Sequence, residues 1–157
     1  MAKQVFYSDE AREKVLAGAK ILRDAVATTM GPKGRNVVIS KTYGGPTITH
    51  DGVTVAEAIE LPENPDNLGE KVGADLIRQA AKKMNKTQGD GTTTVTVLTY
   101  EILREANKLI AAGYNPMELR KGIESASREI LQDLAKLAEP ISENQQKIAE
   151  VATISAG

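Results

Sequence analysis

Apolar positions recur along most of this chain at intervals of three and four, the spacing that lines up one face of an α-helix. The first such stripe is Val15, Ala19, Leu22 and Val26. Ser8-Asp9-Glu10 offers it a hydroxyl N-cap followed by two acids at the positive end of the dipole. Met30-Gly31-Pro32 supplies the stop, since Gly accepts a left-handed cap and Pro cannot continue. The pattern predicts a helix over about residues 9–29. A second stripe, Leu68, Val72, Leu76, Ala80 and Met84, opens at Asn64-Pro65-Asp66 and breaks at Gln88-Gly89-Asp90-Gly91. A third runs through Val95, Leu98, Ile102, Ala106 and Leu109 and closes at Gly113. A fourth takes Leu119, Ile123, Ala126, Ile130, Leu134 and Leu137, with Pro116 in its first turn, where the missing N–H costs nothing. On its outer face Glu124 precedes Arg128 by four residues, a supporting pair.

Two runs break the helical period. Asn36-Val37-Val38-Ile39-Ser40 and Thr47-Ile48-Thr49 are β-prone, and Tyr43-Gly44-Gly45-Pro46 between them carries turn chemistry, which predicts a hairpin. Two strands alone are marginal in water, so the hairpin must pack on the helices or pair with a further strand, on this chain or another. Beyond Pro140, Ser142-Glu143-Asn144-Gln145 fits a capping box and predicts a fifth, shorter helix. The residues after Pro140 are too few for a core of their own, so they read as the opening of a further domain. The class that follows is mainly α with one small hairpin.

Composition narrows the chemistry. The 157 residues are 41% apolar and 26% charged, ordinary for a globular chain. Lys and Arg number 20 against 21 for Asp and Glu, a net charge of −1 that gives no basic footprint for nucleic acid. Aromatics are only 3%, so base-stacking platforms are not expected either. Without Cys, disulfide, thiolate and cysteine-zinc chemistry drop out, in keeping with a reducing, cytoplasmic setting. The first ten residues carry no apolar run after Lys3, so no secretory signal is expected. No stretch approaches the about 18 apolar residues of a membrane span.

Three polar, glycine-rich breaks interrupt the helices: Gly31-Pro32-Lys33-Gly34-Arg35-Asn36, Thr49-His50-Asp51-Gly52 and Gly89-Asp90-Gly91-Thr92-Thr93-Thr94. In the third, two glycines flank an acid and three hydroxyl residues fill the first turn of a helix. Free amides and the dipole make a helix start an anion site, and glycine lets a phosphate approach the backbone. Asp90 would suit a Mg2+ carried by phosphates. No Gly-Lys-Ser/Thr is present, so this is not a Walker A loop. The plainer alternative is Asp90 as an ordinary N-cap with exposed threonines behind it. Lys33 and Arg35 follow a helix C-terminus, where cations are favoured in any case. Asp51-Gly52 is a turn unless Asp51 approaches the Asp90 loop, where it could position water for attack on a phosphate. His50, the one histidine, reads as a surface residue rather than a metal ligand.

In this order the breaks resemble the group I chaperonins, the GroEL-type large subunits. Thr28-Thr29-Met30-Gly31-Pro32-Lys33-Gly34-Arg35-Asn36-Val37-Val38 is similar to that family's first nucleotide-loop segment, and Pro46-Thr47-Ile48-Thr49-His50-Asp51-Gly52-Val53 to its hairpin and second segment. Gly89-Asp90-Gly91-Thr92-Thr93-Thr94 is similar to its most specific signature. Ala111-Ala112-Gly113-Tyr114-Asn115-Pro116-Met117 and Val151-Ala152-Thr153-Ile154-Ser155-Ala156 also fit, so the resemblance spans essentially the whole chain.

The resemblance implies a multihelical equatorial, ATP-binding domain over residues 1–134 and the start of the intermediate domain over 135–157. It implies ATP as cofactor, with Mg2+ held by Asp90 and K+ near the backbone of Thr29 and His50. Gly91, Thr92, Thr93 and Thr94 would surround the phosphates, while Thr29, Met30, Gly31 and Pro32 would line the nucleotide. Asp51 would orient the attacking water. The hairpin at about 36–50 would pair with a neighbouring subunit of a ring homo-oligomer. Unfolded polypeptides and a co-chaperonin would be bound through an apical domain that these residues do not include. A further catalytic carboxylate and the rest of the purine pocket also come from later in such chains, so the 157 residues alone are expected to bind ATP weakly and turn it over very slowly. The other reading is a truncated, non-catalytic chaperonin fragment acting as an oligomerisation or interaction module. His50 stands where the family commonly has Lys or another polar residue, which matters little if the contact is a backbone carbonyl.

Overall fold

The computed structural model describes residue 5, residues 7–62 and residues 68–156. The expected helix start at Asn64-Pro65-Asp66 lies outside them. In chain order the elements are α1 (Ser8–Ala27), β1 (Val37–Ile39), β2 (Thr47–Thr49), α2 (Gly52–Ala58), α3 (Leu68–Gln88), α4 (Thr92–Ala111), α5 (Pro116–Leu137) and α6 (Gln145–Ala156). The molecule is therefore mostly helical with one two-stranded antiparallel sheet, as the apolar periodicity predicts. Packing divides it into two compact units, Met1–Ala112 and Gly113–Gly157. The division falls before α5, and that helix runs unbroken through residue 134.

In the first unit α1, α3 and α4 pack on one another, with α2 against all three. The core is Ala19, Leu22 and Val26 of α1, Val55 and Ala56 of α2, Ala74 and Ile77 of α3 and Tyr100 of α4. Each fully buried Leu, Ile or Val here contributes about 1.5–3 kcal/mol relative to an exposed one. The α1 stripe matches expectation in Ala19, Leu22 and Val26. On α3 and α4 the buried face differs from the predicted one. Val72 and Leu76 are 46% and 54% exposed, and Leu98 and Ile102 are 54% and 50% exposed. The buried positions are Gly69, Gly73, Ala74, Ile77 and Ala81 on α3, and Thr92, Thr96 and Tyr100 on α4. Steps of four drift around a helix of 3.6 residues per turn, so a stripe drawn at that spacing missed the contacting face, where Gly73 and Ala74 lie beside Ile77.

Those small residues set the α1–α3 crossing. A Cβ added at Gly18 would lie 1.7 Å from the Glu70 carbonyl oxygen, and one at Gly73 would lie 1.9 Å from that of Val15. The two backbones touch with no side chain between them. At the far face of α1, Arg23 reaches α4: its Nη2 donates to Glu101 Oε1 at 2.7 Å. Its guanidinium carbon also stands 4.4 Å from the centroid of the Tyr100 ring, a cation–π contact.

Local signals shift by a residue or two from the sequence reading. Tyr7 rather than Ser8 is the N-cap of α1, and it makes no side-chain cap bond. The helix ends at Thr28, before Gly31 takes its left-handed conformation. Glu124 pairs backwards with Arg120 at 2.8 Å instead of forward with Arg128. At α6 the cap is Asn144, whose Oδ1 accepts from the Lys147 N–H at 3.1 Å, so the capping box centred on Ser142 does not form. Asn115 caps α5 through the Met117 N–H, with Pro116 in the first turn as expected.

The hairpin pairs Val37 with Thr49, Val38 with Ile48 and Ile39 with Thr47. Val37 packs against the core, which anchors the strands. Val38 and Ile48, paired on the other face, are each 65% exposed.

Candidate functional site

Three helix ends meet on the first unit, and each comes from one of the three glycine-rich breaks. At the C-terminal end of α1, the hydroxyls of Thr28 and Thr29 donate to the carbonyls of Ala25 and Val26, at 2.7 and 2.8 Å. The loop then folds back on that end: the Gly34 N–H donates to Gly31 and the Arg35 N–H to Thr28, both at 2.8 Å. Met30, Gly31, Pro32 and Lys33 are left exposed, and nothing stands within 4 Å of where a Gly31 side chain would begin.

The second break is more than a turn. Asp51 is the N-cap of α2, a helix the sequence pattern did not reveal. Seven residues are too few to show a period, and Gly52 inside a hydroxyl-rich stretch imitates a turn. One carboxylate oxygen of Asp51, Oδ2, accepts from the Thr54 N–H at 3.0 Å and from the Thr54 hydroxyl. The other, Oδ1, accepts from the Val53 N–H at 3.4 Å. The Asp51 N–H itself donates to Thr49 Oγ1 at 3.1 Å. His50, just before it, is exposed.

The third break gives α4 an N-terminus without a side-chain cap. Gly91 is the N-cap, in the left-handed conformation at φ 75°, and having no side chain it caps nothing. The plainer alternative, Asp90 as N-cap, does not hold. Asp90 is exposed and lies one residue outside, where its Oδ1 accepts from the Gly91 N–H at 2.6 Å. The three threonines point apart, as helical geometry requires: Thr92 is buried, Thr93 half-buried and Thr94 exposed. Thr96 locks the turn behind them, its hydroxyl donating to the Thr92 carbonyl at 2.8 Å.

Gly52 is where the breaks join. A Cβ placed there would fall 2.1 Å from Thr93 Oγ1 and 3.3 Å from Val26 Cγ1. The start of α2 is thus pressed against the start of α4 and the last turn of α1. The residue after Asp51 is thus the one set against the threonine turn. Thr93 and the last turn of α1 are the parts that meet at Gly52, while Gly31 in the loop after α1 faces open space.

An uncapped helix start with open glycines fits an anion such as a polyphosphate. Beyond Gly89 and Gly91 the space is open, with only Met84 Cγ at 3.9 Å from a Gly91 side-chain position. Among the described residues no group of three His, Cys, Asp or Glu side chains could hold a metal. A cation at Asp90 would therefore take its other ligands from phosphate and water, the usual arrangement for Mg2+.

Two residues that hold the site escaped the sequence reading. Thr54 secures Asp51. Arg78 of α3 secures the other end of α2, its Nε donating to the Ala56 carbonyl at 2.8 Å and its Nη2 to that of Ile59. Neither lies in a glycine-rich break, so no local signal marked them. Residues 22–157 match the family model described as the TCP-1/cpn60 chaperonin family.

Proposed function

The chain belongs to the TCP-1/cpn60 chaperonin family, whose role is chaperonin-type protein folding, and from that premise we propose that the three joined helix ends form an ATP-binding and ATP-hydrolysing site of the group I kind. The contact of Gly52 on Thr93 carries this reading. It sets the residue after Asp51 against the first turn of an uncapped helix start, which supports a pairing of water-orienting and phosphate-binding groups of the sort phosphoryl transfer needs.

In this reading the amides of the first α4 turn and the Thr93 and Thr94 hydroxyls donate to the phosphates. Thr92, being buried, contributes its backbone and fixes the turn. Asp90 holds Mg2+ together with phosphate oxygens. Thr29, Met30, Gly31 and Pro32 line the nucleotide, with K+ at the backbone of Thr29 and His50. Asp51 orients the water. The bound Mg-ATP supplies the γ-phosphoryl group whose transfer to that water drives conformational change in a ring.

The proposal extends to the assembly. Residues 1–134 serve as equatorial domain and 135–157 as the start of the intermediate domain. The exposed Val38–Ile48 face and the outer strand edges support pairing of the hairpin with a neighbouring subunit. Unfolded polypeptides are the clients, a co-chaperonin is a partner, and the setting is cytoplasmic.

The test is equilibrium binding of ATP to the chain with and without Mg2+. We expect Mg2+-dependent binding that weakens at least about tenfold in Asp90→Ala, the loss of one charge-assisted ligand. Binding that ignores both Mg2+ and Asp90→Ala would reject the ATPase reading in favour of a non-catalytic oligomerisation module.

A further inference from the structure

We propose that Thr54 is a positioning residue for hydrolysis: its hydroxyl fixes Oδ2 of Asp51 and leaves Oδ1 as the oxygen that accepts from the attacking water. The inference rests on the reading of Asp51 as the water-orienting group.

The argument begins with what a threonine does inside a helix. Its hydroxyl ordinarily turns back to a carbonyl three or four residues earlier. Thr87, Thr96 and Thr153 do so, donating to Lys83, Thr92 and Ala149, and past the end of α1 the hydroxyls of Thr28 and Thr29 still turn back, to Ala25 and Val26. Thr54 sits in the first turn of α2, where no carbonyl of its own helix lies four residues back, and its hydroxyl donates a hydrogen bond to the carboxylate of the N-cap instead. The backbone N–H of any residue at that position could reach an Asp N-cap, so the hydroxyl is the part that depends on residue type.

The two oxygens of Asp51 are consequently unequal. Oδ2 takes two donors, both from Thr54. Oδ1 takes one, at 3.4 Å, the long end of a hydrogen bond. An ionised carboxylate offers about four acceptor sites, and those of Oδ1 are the less committed. Gly52, the next residue, is pressed on Thr93, so the backbone that carries Asp51 is held against the start of α4, and Thr54 holds its carboxylate over the start of α2. Thr54 then settles which oxygen faces the work.

The experiment uses the full chain and separates binding from chemistry. Mg-ATP affinity is measured at equilibrium, and hydrolysis of bound ATP is followed in a single turnover with protein in excess. Thr54→Val keeps the shape and removes the donor; Thr54→Ser keeps the donor. We expect Thr54→Val to bind Mg-ATP within about twofold of wild type and to hydrolyse it about tenfold or more slowly, a typical penalty for misplacing one reacting group. Thr54→Ser should hydrolyse within about threefold of wild type. A role limited to capping α2 would give a different result, with Thr54→Val losing affinity and thermal stability together. Thr54→Ala serves as a second donor-free variant if the valine does not fold.

Wild-type hydrolysis in Thr54→Val, or equal losses in Val and Ser, overturns the positioning role. So does a wild-type chain that binds Mg-ATP and leaves it intact. Hydrolysis undiminished in Asp51→Ala rejects the assignment of Asp51, and the inference falls with it.

Discussion

Gly52 is the residue on which the site turns, because no side chain fits between the start of α2 and Thr93. Gly52→Ala would drive a methyl into Thr93 Oγ1, an overpacking that costs about 1–3 kcal/mol. We expect that loss in urea unfolding, and a further loss in Mg-ATP affinity because the displaced Thr93 belongs to the turn proposed to bind the phosphates. Thr93→Ala in the same chain should recover part of the stability but none of the affinity. At this scale the sequence showed which residues were unusual and hid how they were used. Asp51, Asp90 and the threonines stood out by type and spacing. That Gly91 would be the N-cap, or that Thr92 would be buried, depends on the angle at which α4 leaves its loop, which spacing does not encode.

Among the elements, α3 separates size from burial. Leu76 and Ile77 are neighbours on one helix, yet Leu76 is half-exposed and Ile77 is buried in the core. Ile77→Ala should cost about 2–5 kcal/mol, whereas Leu76→Ala should stay within about 0.5 kcal/mol of wild type. Equal losses would mean that the large-residue stripe does face the core. The short helix α2 invites a second comparison. Arg78 gathers its last carbonyls, and Lys82 stands 3.3 Å from Glu57 on its flank. Arg78→Met would leave two carbonyls without their donor, costing about 1–3 kcal/mol. We expect its amide protons in α2 to exchange faster than in wild type, while those of α4 keep their protection. The long helices and the hairpin were legible because period and turn chemistry are local. The helix α2 was not, since it exists through Asp51 at one end and a guanidinium from α3 at the other.

At the scale of the whole molecule, the first unit has more apolar surface than its core uses. Val72 and Leu76 on α3, with Leu98 and Ile102 on α4, are all large and about half-exposed. Large apolar side chains left in water favour association. Leu76→Glu combined with Ile102→Glu should lower concentration-dependent association in sedimentation while leaving the unfolding free energy within about 0.5 kcal/mol. The mainly helical class was legible because it rests on repeated local patterns. The close approach of α1 and α3 was not, because it depends on Gly18 and Gly73 lying against main chain from a distant part of the sequence. That crossing has a consequence for how the protein can change over generations. At Gly18 and Gly73 even the smallest step, a single methyl, meets a carbonyl oxygen. These two positions have no neutral neighbours in sequence space, and a lineage could vary them only after α1 and α3 had already moved apart.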